Sequence, residues 1–288
     1  MRPLLAGLTM TAAVFAAGAA WAQAAAQRVT FPSADGKTQL VGYLFLPAGP
    51  GRHPAVVMMH GRSGAYSANA KGIYSAATLR GRDVAWARRL NEKGYAAISV
   101  DSFGPRGYPA GFAAGTHAGR PASINEVTVR PFDAYGAFDY LTARPDITAG
   151  RIALFGWSNG ASAALATIAT DGVASKGRTA PGKGFVGALA FYPGCGLDGR
   201  FDKSGYRAYA PTRIFIGTAD EEVSPAACRK LAAGAAKLNR NLTLTVYPGA
   251  THDFDDPLNG RQDLKANAAA NADATAKALA FLAARLGS

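Results

Sequence analysis

The sequence predicts an α/β fold, a mostly parallel central sheet of about eight strands with helices on both faces. Strand-like and helix-like segments alternate along the chain, which implies parallel strands joined by crossover helices. Strands such as "AVVMMH", Ala55 to His60, are unbroken apolar runs, the pattern of strands covered on both faces. No linker-like change of composition divides residues 23 to 288, so one domain is expected over that span.

The first 22 residues stand outside this fold. Arg2 supplies a positive start, an apolar run of 17 residues follows from Leu4 to Ala20, and "AWAQ" offers a small-x-small cleavage site after Ala22. The run is short for a membrane span and contains two glycines and two threonines. A cleaved signal peptide is expected, with a periplasmic or secreted mature chain and no stable membrane insertion.

After an N-terminal β section, "TQLVGYLFLP", Thr38 to Pro47, is β-prone and ends at a proline-glycine turn. Residues 78 to 93 have helical periodicity: Val84, Ala87 and Leu90 recur at spacing three, Trp86 and Leu90 at four, and Gly94 marks the stop. "YAAISVD", Tyr95 to Asp101, is a strand. Ser102 to Ser123 is long, irregular and rich in Gly and Pro. It is read as an excursion over the C-terminal edge of the sheet and a candidate lid, since loops of this length are uncommon unless functional or disordered.

A helix is expected from about Pro131 to Thr142, a strand over "RIALFG", Arg151 to Gly156, and a small-residue helix from Asn159 to Thr170. "FVGALAFYP", Phe185 to Pro193, and "RIFIGTA", Arg213 to Ala219, are strands. Pro225 opens a helix reaching Leu238. "LTLTVYPG", Leu242 to Gly249, is the last strand, and the final helix places Leu279, Leu282 and Leu286 on one face.

Composition narrows the function classes. The 288 residues are 49% hydrophobic and 17% charged, with a formal charge of +12. The basic residues are scattered, no run of five Lys or Arg occurs, and no zinc-type or RNA-binding motif is present, so nucleic acid is not an expected partner. In an oxidising compartment Cys195 and Cys228 can pair, closing a loop of about 33 residues worth roughly 3–4 kcal/mol in the chain-entropy model. Two separate buried thiols are the other reading.

The chemistry centres on "GWSNG", Gly156 to Gly160. Ser158 follows a buried strand and opens a helix, the setting that gives a G-x-S-x-G pattern its meaning. The glycines let strand and helix approach closely, and the helix directs its free N–H groups at the serine. The alternative is a turn with a capping serine. A serine hydroxyl needs a base, and of four histidines His252, after the last strand, fits the order serine, acid, histidine. His53 lies in a turn, His117 in the irregular loop, and His60 ends a strand. Asp220 ends "RIFIGTAD" where the acid belongs, with Glu221 and Glu222 as adjacent rivals and Asp198 and Asp202 one strand earlier. The oxyanion donors are expected at the backbone N–H groups of Asn159 and Arg62, with Gly61 as the fallback.

In these motifs the chain resembles the dienelactone hydrolase family of the α/β-hydrolase superfamily. The resemblance is carried, in order, by "HGRSG", "DSFGPRG", "GWSNG", "AFYPGC", "GTADEEVSP" and "YPGATHDFD", over nearly the whole mature chain. It implies an α/β-hydrolase fold, Ser158, Asp220 and His252 as the triad, and Arg62 and Asn159 as oxyanion donors. It implies an exported, serine-nucleophile branch in which Cys195 and Cys228 pair. Dienelactone hydrolases proper carry cysteine where this chain has Ser158, and the second glycine of the family's "SxGG" is Ala161.

The expected reaction is hydrolysis of a small-molecule carboxylic ester or lactone through an acyl-enzyme, with no metal or organic cofactor. Arg62 and Arg106 could bring guanidinium groups to the mouth of the site and favour an ester bearing a carboxylate. Trp157, Phe103 and Tyr192 could wall it. Loop-fixing and core packing are the competing readings of these five residues. A peptidase, an acyltransferase or a non-catalytic binder on the same scaffold are the alternatives.

Overall fold

The computed structural model describes residues 26–258 and 260–287, so the expected signal peptide, residues 1–22, lies outside the described residues. Eight strands of the described residues form one sheet: β1 (Gln27–Pro32), β2 (Gln39–Phe45), β3 (His53–Met59), β4 (Ala96–Asp101), β5 (Ile147–Trp157), β6 (Ala188–Phe191), β7 (Thr212–Gly217) and β8 (Leu242–Tyr247). Their order is β1-β2-β4-β3-β5-β6-β7-β8. β1 and β2 pair antiparallel, as do β2 and β4; every pair from β4 onward to β8 is parallel.

The parallel strands are buried as their apolar runs require. Ala55 to Met59 of β3 and all six residues of β4 are inaccessible. β1, "QRVTFP", is mostly exposed at the sheet's edge, and its polar character hid it as a separate strand.

Among the described residues five α-helices cover the sheet: α1 (Gly81–Glu92), α2 (Arg130–Thr142), α3 (Asn159–Ile168), α4 (Pro225–Ala236) and α5 (Lys265–Leu286). α1 buries Trp86, Ala87 and Leu90 at helical spacing. All ten residues of α3 are buried, which its small side chains permit against both sheet and α2. α4 starts where Ser224 Oγ accepts from Ala227 N–H and Pro225 fills a position whose N–H no helix needs. α5 buries Ala270, Ala274, Ala278, Leu282 and Leu286, so its contact face is largely an alanine stripe with Leu279 only half-buried. Each fully buried Leu or Phe on these faces contributes about 1.5–3 kcal/mol. Among the described residues no helix is long and apolar enough to cross a membrane.

Because β3 to β8 run parallel, their carboxyl ends share one edge. The segments that follow β3, β5, β7 and β8 carry Arg62, Ser158, Asp220 and His252 to that edge. The excursion after β4 is built from short 3₁₀ turns at Gly104–Arg106, His117–Gly119 and Ala122–Ile124. It is pinned to the loop after β3 by Phe112 N–H donating to the Arg62 carbonyl at 2.9 Å.

Candidate active site

Ser158 stands on a sharp elbow between β5 and α3, at φ 51° and ψ −117°. A non-glycine residue at positive φ costs on the order of 1–3 kcal/mol, and the flanking glycines show what enforces it. A Cβ on Gly156 would lie 2.2 Å from the Gly160 carbonyl oxygen, and one on Gly160 would lie 2.0 Å from that of Met59. Only glycine at both positions lets α3 seat against the ends of β5 and β3, which lifts the serine hydroxyl to the edge of the sheet.

His252 Nε2 lies 2.9 Å from Ser158 Oγ, and its Nδ1 lies 2.9 Å and 3.0 Å from the two carboxylate oxygens of Asp220. The Asp220 carboxylate is oriented by the backbone N–H groups of Glu222 and Val223, which donate to Oδ1. Among the acidic rivals, Glu221 accepts from the His252 backbone N–H, Glu222 is held by Arg62, and Asp198 accepts from Asn125. Burial alone would depress the His252 imidazole. The Asp220 hydrogen bond and the charges of Asp253, Asp220 and Glu222 outweigh it and raise its pKa above the ordinary value.

The backbone N–H groups of Asn159 and Arg62 have no acceptor among the described residues, and Gly61 shares this freedom. His60, fully buried, sets the shape of this loop. Its Nε2 accepts from Ser102 N–H, so the proton sits on Nδ1, which donates to the Gly61 carbonyl at 2.7 Å. Burial, reinforced by Arg130, keeps the ring neutral by lowering its pKa well below the usual value.

Beneath His252 lies a buried polar network that the sequence did not disclose. Asp255 accepts from Trp86 Nε1 at 3.1 Å, from Trp157 Nε1 at 2.9 Å and from the Tyr192 hydroxyl. Arg82 donates to Tyr192 and Asp253. Burial would raise the Asp253 carboxyl, but Arg82, His252 and Arg80 hold it down at about 2. The Tyr192 ring packs against the His252 ring, with centroids 4.7 Å apart and planes tilted by 60°.

Ser158 opens into a cavity of about 630 Å³ whose walls include Arg62, His117, Arg120, Glu126, Glu222 and Leu197. Four of the residues expected to contact substrate are placed elsewhere. Arg106 forks onto the buried Asp133 with two bonds of 2.8 Å and also donates to the Ser102 carbonyl, so it fastens the excursion to α2. Trp157, Phe103 and Tyr192 are fully buried. They fail as walls because Trp157 and Tyr192 satisfy the buried Asp255, while Phe103 packs edge-on against His60 and Phe112. Arg62 does border the cavity, but its guanidinium forks onto Glu222 and donates to the Phe112 carbonyl. A carboxylate preference resting on Arg62 and Arg106 therefore loses both of its arginines.

The cavity instead receives His117 and Arg120 from the excursion and Glu126 from the turn after it, none of them assigned a role in the site by the sequence. His117 and Glu126 pair at 2.8 Å, and Arg120 stacks over Phe112. The unusual length of the segment was the available signal. Cys195 and Cys228 form a disulfide that ties the wall after β6 to α4.

A mostly parallel eight-stranded sheet with a serine on its strand-to-helix elbow is the architecture of an α/β-hydrolase. The model of the dienelactone hydrolase family matches residues 40–286. The chain belongs to the dienelactone hydrolase family, a family of hydrolases. No curated protein matches it.

Solved structures share the fold at low identity. A dienelactone hydrolase-like promiscuous phosphotriesterase from metagenomic libraries is 20% identical, with a TM-score of 0.63 over 92% of this chain and 100% of that one. Thermogutta terrifontis esterase 2, phosphorylated by paraoxon, is 21% identical, with a TM-score of 0.62 over 90% and 94%. A Mycobacterium tuberculosis puromycin-hydrolysing peptidase is 17% identical, with a TM-score of 0.60 over 91% of this chain and 40% of that one.

Proposed function

We propose that this chain is a serine hydrolase that cleaves small-molecule carboxylic esters or lactones through an acyl-enzyme. The observation that carries the reading is the unbroken line from Ser158 Oγ through His252 to Asp220, each link 2.9 Å at its shortest. Ser158 Oγ attacks the ester carbonyl while His252 Nε2 takes its proton. The Asn159 and Arg62 N–H groups receive the negative oxygen of the tetrahedral intermediate. His252 returns the proton to the leaving alkoxide, and the C–O bond breaks to leave an ester on Ser158. Water, deprotonated by the same imidazole, then attacks that ester, the acid departs, and Ser158 recovers its proton. Asp220 stabilises the imidazolium in both halves.

The similarity to an esterase and to a phosphotriesterase supports hydrolysis of an activated ester. The paired cysteines support an oxidising compartment. We therefore place the mature chain outside the cytoplasm, with residues 1–22 as its export signal.

The test is turnover of p-nitrophenyl acetate, a δ-lactone and a matched amide by the purified mature chain and its Ser158→Ala variant. Ester and lactone turnover should exceed amide turnover and should fall by about 10⁴–10⁶-fold in Ser158→Ala. Equal turnover by the variant would reject the reading.

A further inference from the structure

Arg130, the first residue of α2, is fully buried among polar atoms it does not neutralise. Among the described residues it forms no ion pair: Asp133 is taken by Arg106, Glu126 by His117, and Asp101 by Tyr66 and two backbone N–H groups. Instead Nη1 donates to Asn159 Oδ1 and Nη2 donates to the His60 carbonyl at 2.8 Å, and the buried Nε–H finds no partner among the described residues. Its face lies over the Phe103 ring at 5.0 Å. A cation in the first turn of a helix opposes the helix dipole. Burial, aided by Arg106, pulls its pKa down to about 10 although Asp133, Glu126 and Asp101 raise it. Burying a guanidinium with no carboxylate in contact is costly.

Its two acceptors are informative. Asn159 carries the N–H expected to bind the oxyanion from the elbow side. The His60 carbonyl lies one peptide before the Gly61–Arg62 peptide, which carries the other N–H. That second peptide is held in turn by His60 Nδ1–H on the Gly61 carbonyl. A trans peptide directs its C=O and N–H oppositely, so a fixed Gly61 carbonyl aims the Arg62 N–H.

We propose that Arg130 is a positioning residue that locks the two halves of the oxyanion hole together, bridging the β5–α3 elbow and the loop after β3. This rests on the hydrolase reading above. A planar fork can hold two acceptors at once, which the single ammonium of lysine cannot do in the same geometry. Its positive charge also has the sign that favours negative charge on the oxyanion.

The test uses Arg130→Lys and Arg130→Met, each checked for native circular dichroism and cooperative melting. For p-nitrophenyl acetate, kcat should fall by about 10–100-fold in Arg130→Lys and further in Arg130→Met, with KM within about threefold. The inhibition constant of an alkylboronic acid, which mimics the tetrahedral intermediate, should rise in parallel with the loss of kcat. If Arg130→Met does not fold, Asn159→Ala supplies the second arm, because it removes the acceptor and keeps the N–H. The double variant Arg130→Lys with Asn159→Ala should then be no slower than the worse single one. Folded variants within about twofold of the parent kcat, a change confined to KM, or fully multiplicative losses in the double variant would overturn the proposal. Ser158→Ala separates the two readings. If it is inactive while Arg130→Lys and Arg130→Met are fully active, the positioning role alone fails. If it retains turnover, the hydrolase reading fails and takes this proposal with it.

Discussion

The Glu222 carboxylate stands 3.7 Å from His252 Nε2, on the same ring nitrogen that Ser158 Oγ approaches to 2.9 Å. Glu222 is itself held in place by the Arg62 fork. The histidine thus has one carboxylate behind it, Asp220, and a second beside its reacting edge.

This arrangement sets the pH dependence. Burial pulls the His252 pKa down, and Asp220, Asp253 and Glu222 push it up by more, so the net shift is upward. The imidazole must be neutral to take the serine proton, so activity should rise with pH through this raised value. The acid limb of kcat/KM is expected above the ordinary histidine value. Glu222→Gln should move that limb to lower pH. A limb that stays in place in the variant, or a rate flat from about pH 5 to 8, would contradict the assignment.

The elbow stores strain that can be released. Ser158→Ala and Ser158→Gly both remove the hydroxyl, but only glycine tolerates φ 51° without penalty. Both variants should be inactive, and Ser158→Gly should be the more stable by about 1 kcal/mol, roughly 2–4 °C in Tm. Thermal melts of the pair check this, and an equal or lower Tm for the glycine variant would show that the backbone is relaxed.

Parts of the site were legible because their signals are local. Apolar runs gave β3 and β4, and Gly156, Ser158 and Gly160 stand within five consecutive residues. His252 and Asp220 were placed by the rule that such groups follow strands. The remainder depends on pairings that sequence does not encode locally. Arg106 lies in a loop expected to reach the mouth of the site, yet Asp133, on the next helix, draws its guanidinium inward. Trp157, Phe103 and Tyr192 lie within the motifs, but burial decides their role, and Asp255 lies far along the chain from Trp86 and Trp157. Arg130 carried one weak hint, a cation opening a helix.

The disulfide is expected to hold both fold and cleft. Cys195 and Cys228 have Cα atoms 5.0 Å apart, and Cys195 borders the cavity. Replacing both by alanine should remove about 3–4 kcal/mol in the chain-entropy model, roughly 6–16 °C in Tm. The wall after β6 should loosen and KM should rise. Unchanged melting would show that the bridge contributes nothing to the fold.

Gly160 tests how tightly the elbow is packed. An added Cβ meets the Met59 carbonyl at 2.0 Å, and backbone must move to admit it. Gly160→Ala should lose about 2–4 kcal/mol and lower kcat by at least about tenfold, since a shift of 1 Å at a reacting group costs about 100-fold. Wild-type stability and rate would mean that α3 and β3 do not constrain the serine.

The central claim is that Ser158 carries the acyl group, and peptide mass spectrometry after a fluorophosphonate probe reads it directly. A single adduct is expected on the peptide containing Ser158, lost in Ser158→Ala and slowed in His252→Ala. No adduct, or one on another residue that survives Ser158→Ala, would contradict it.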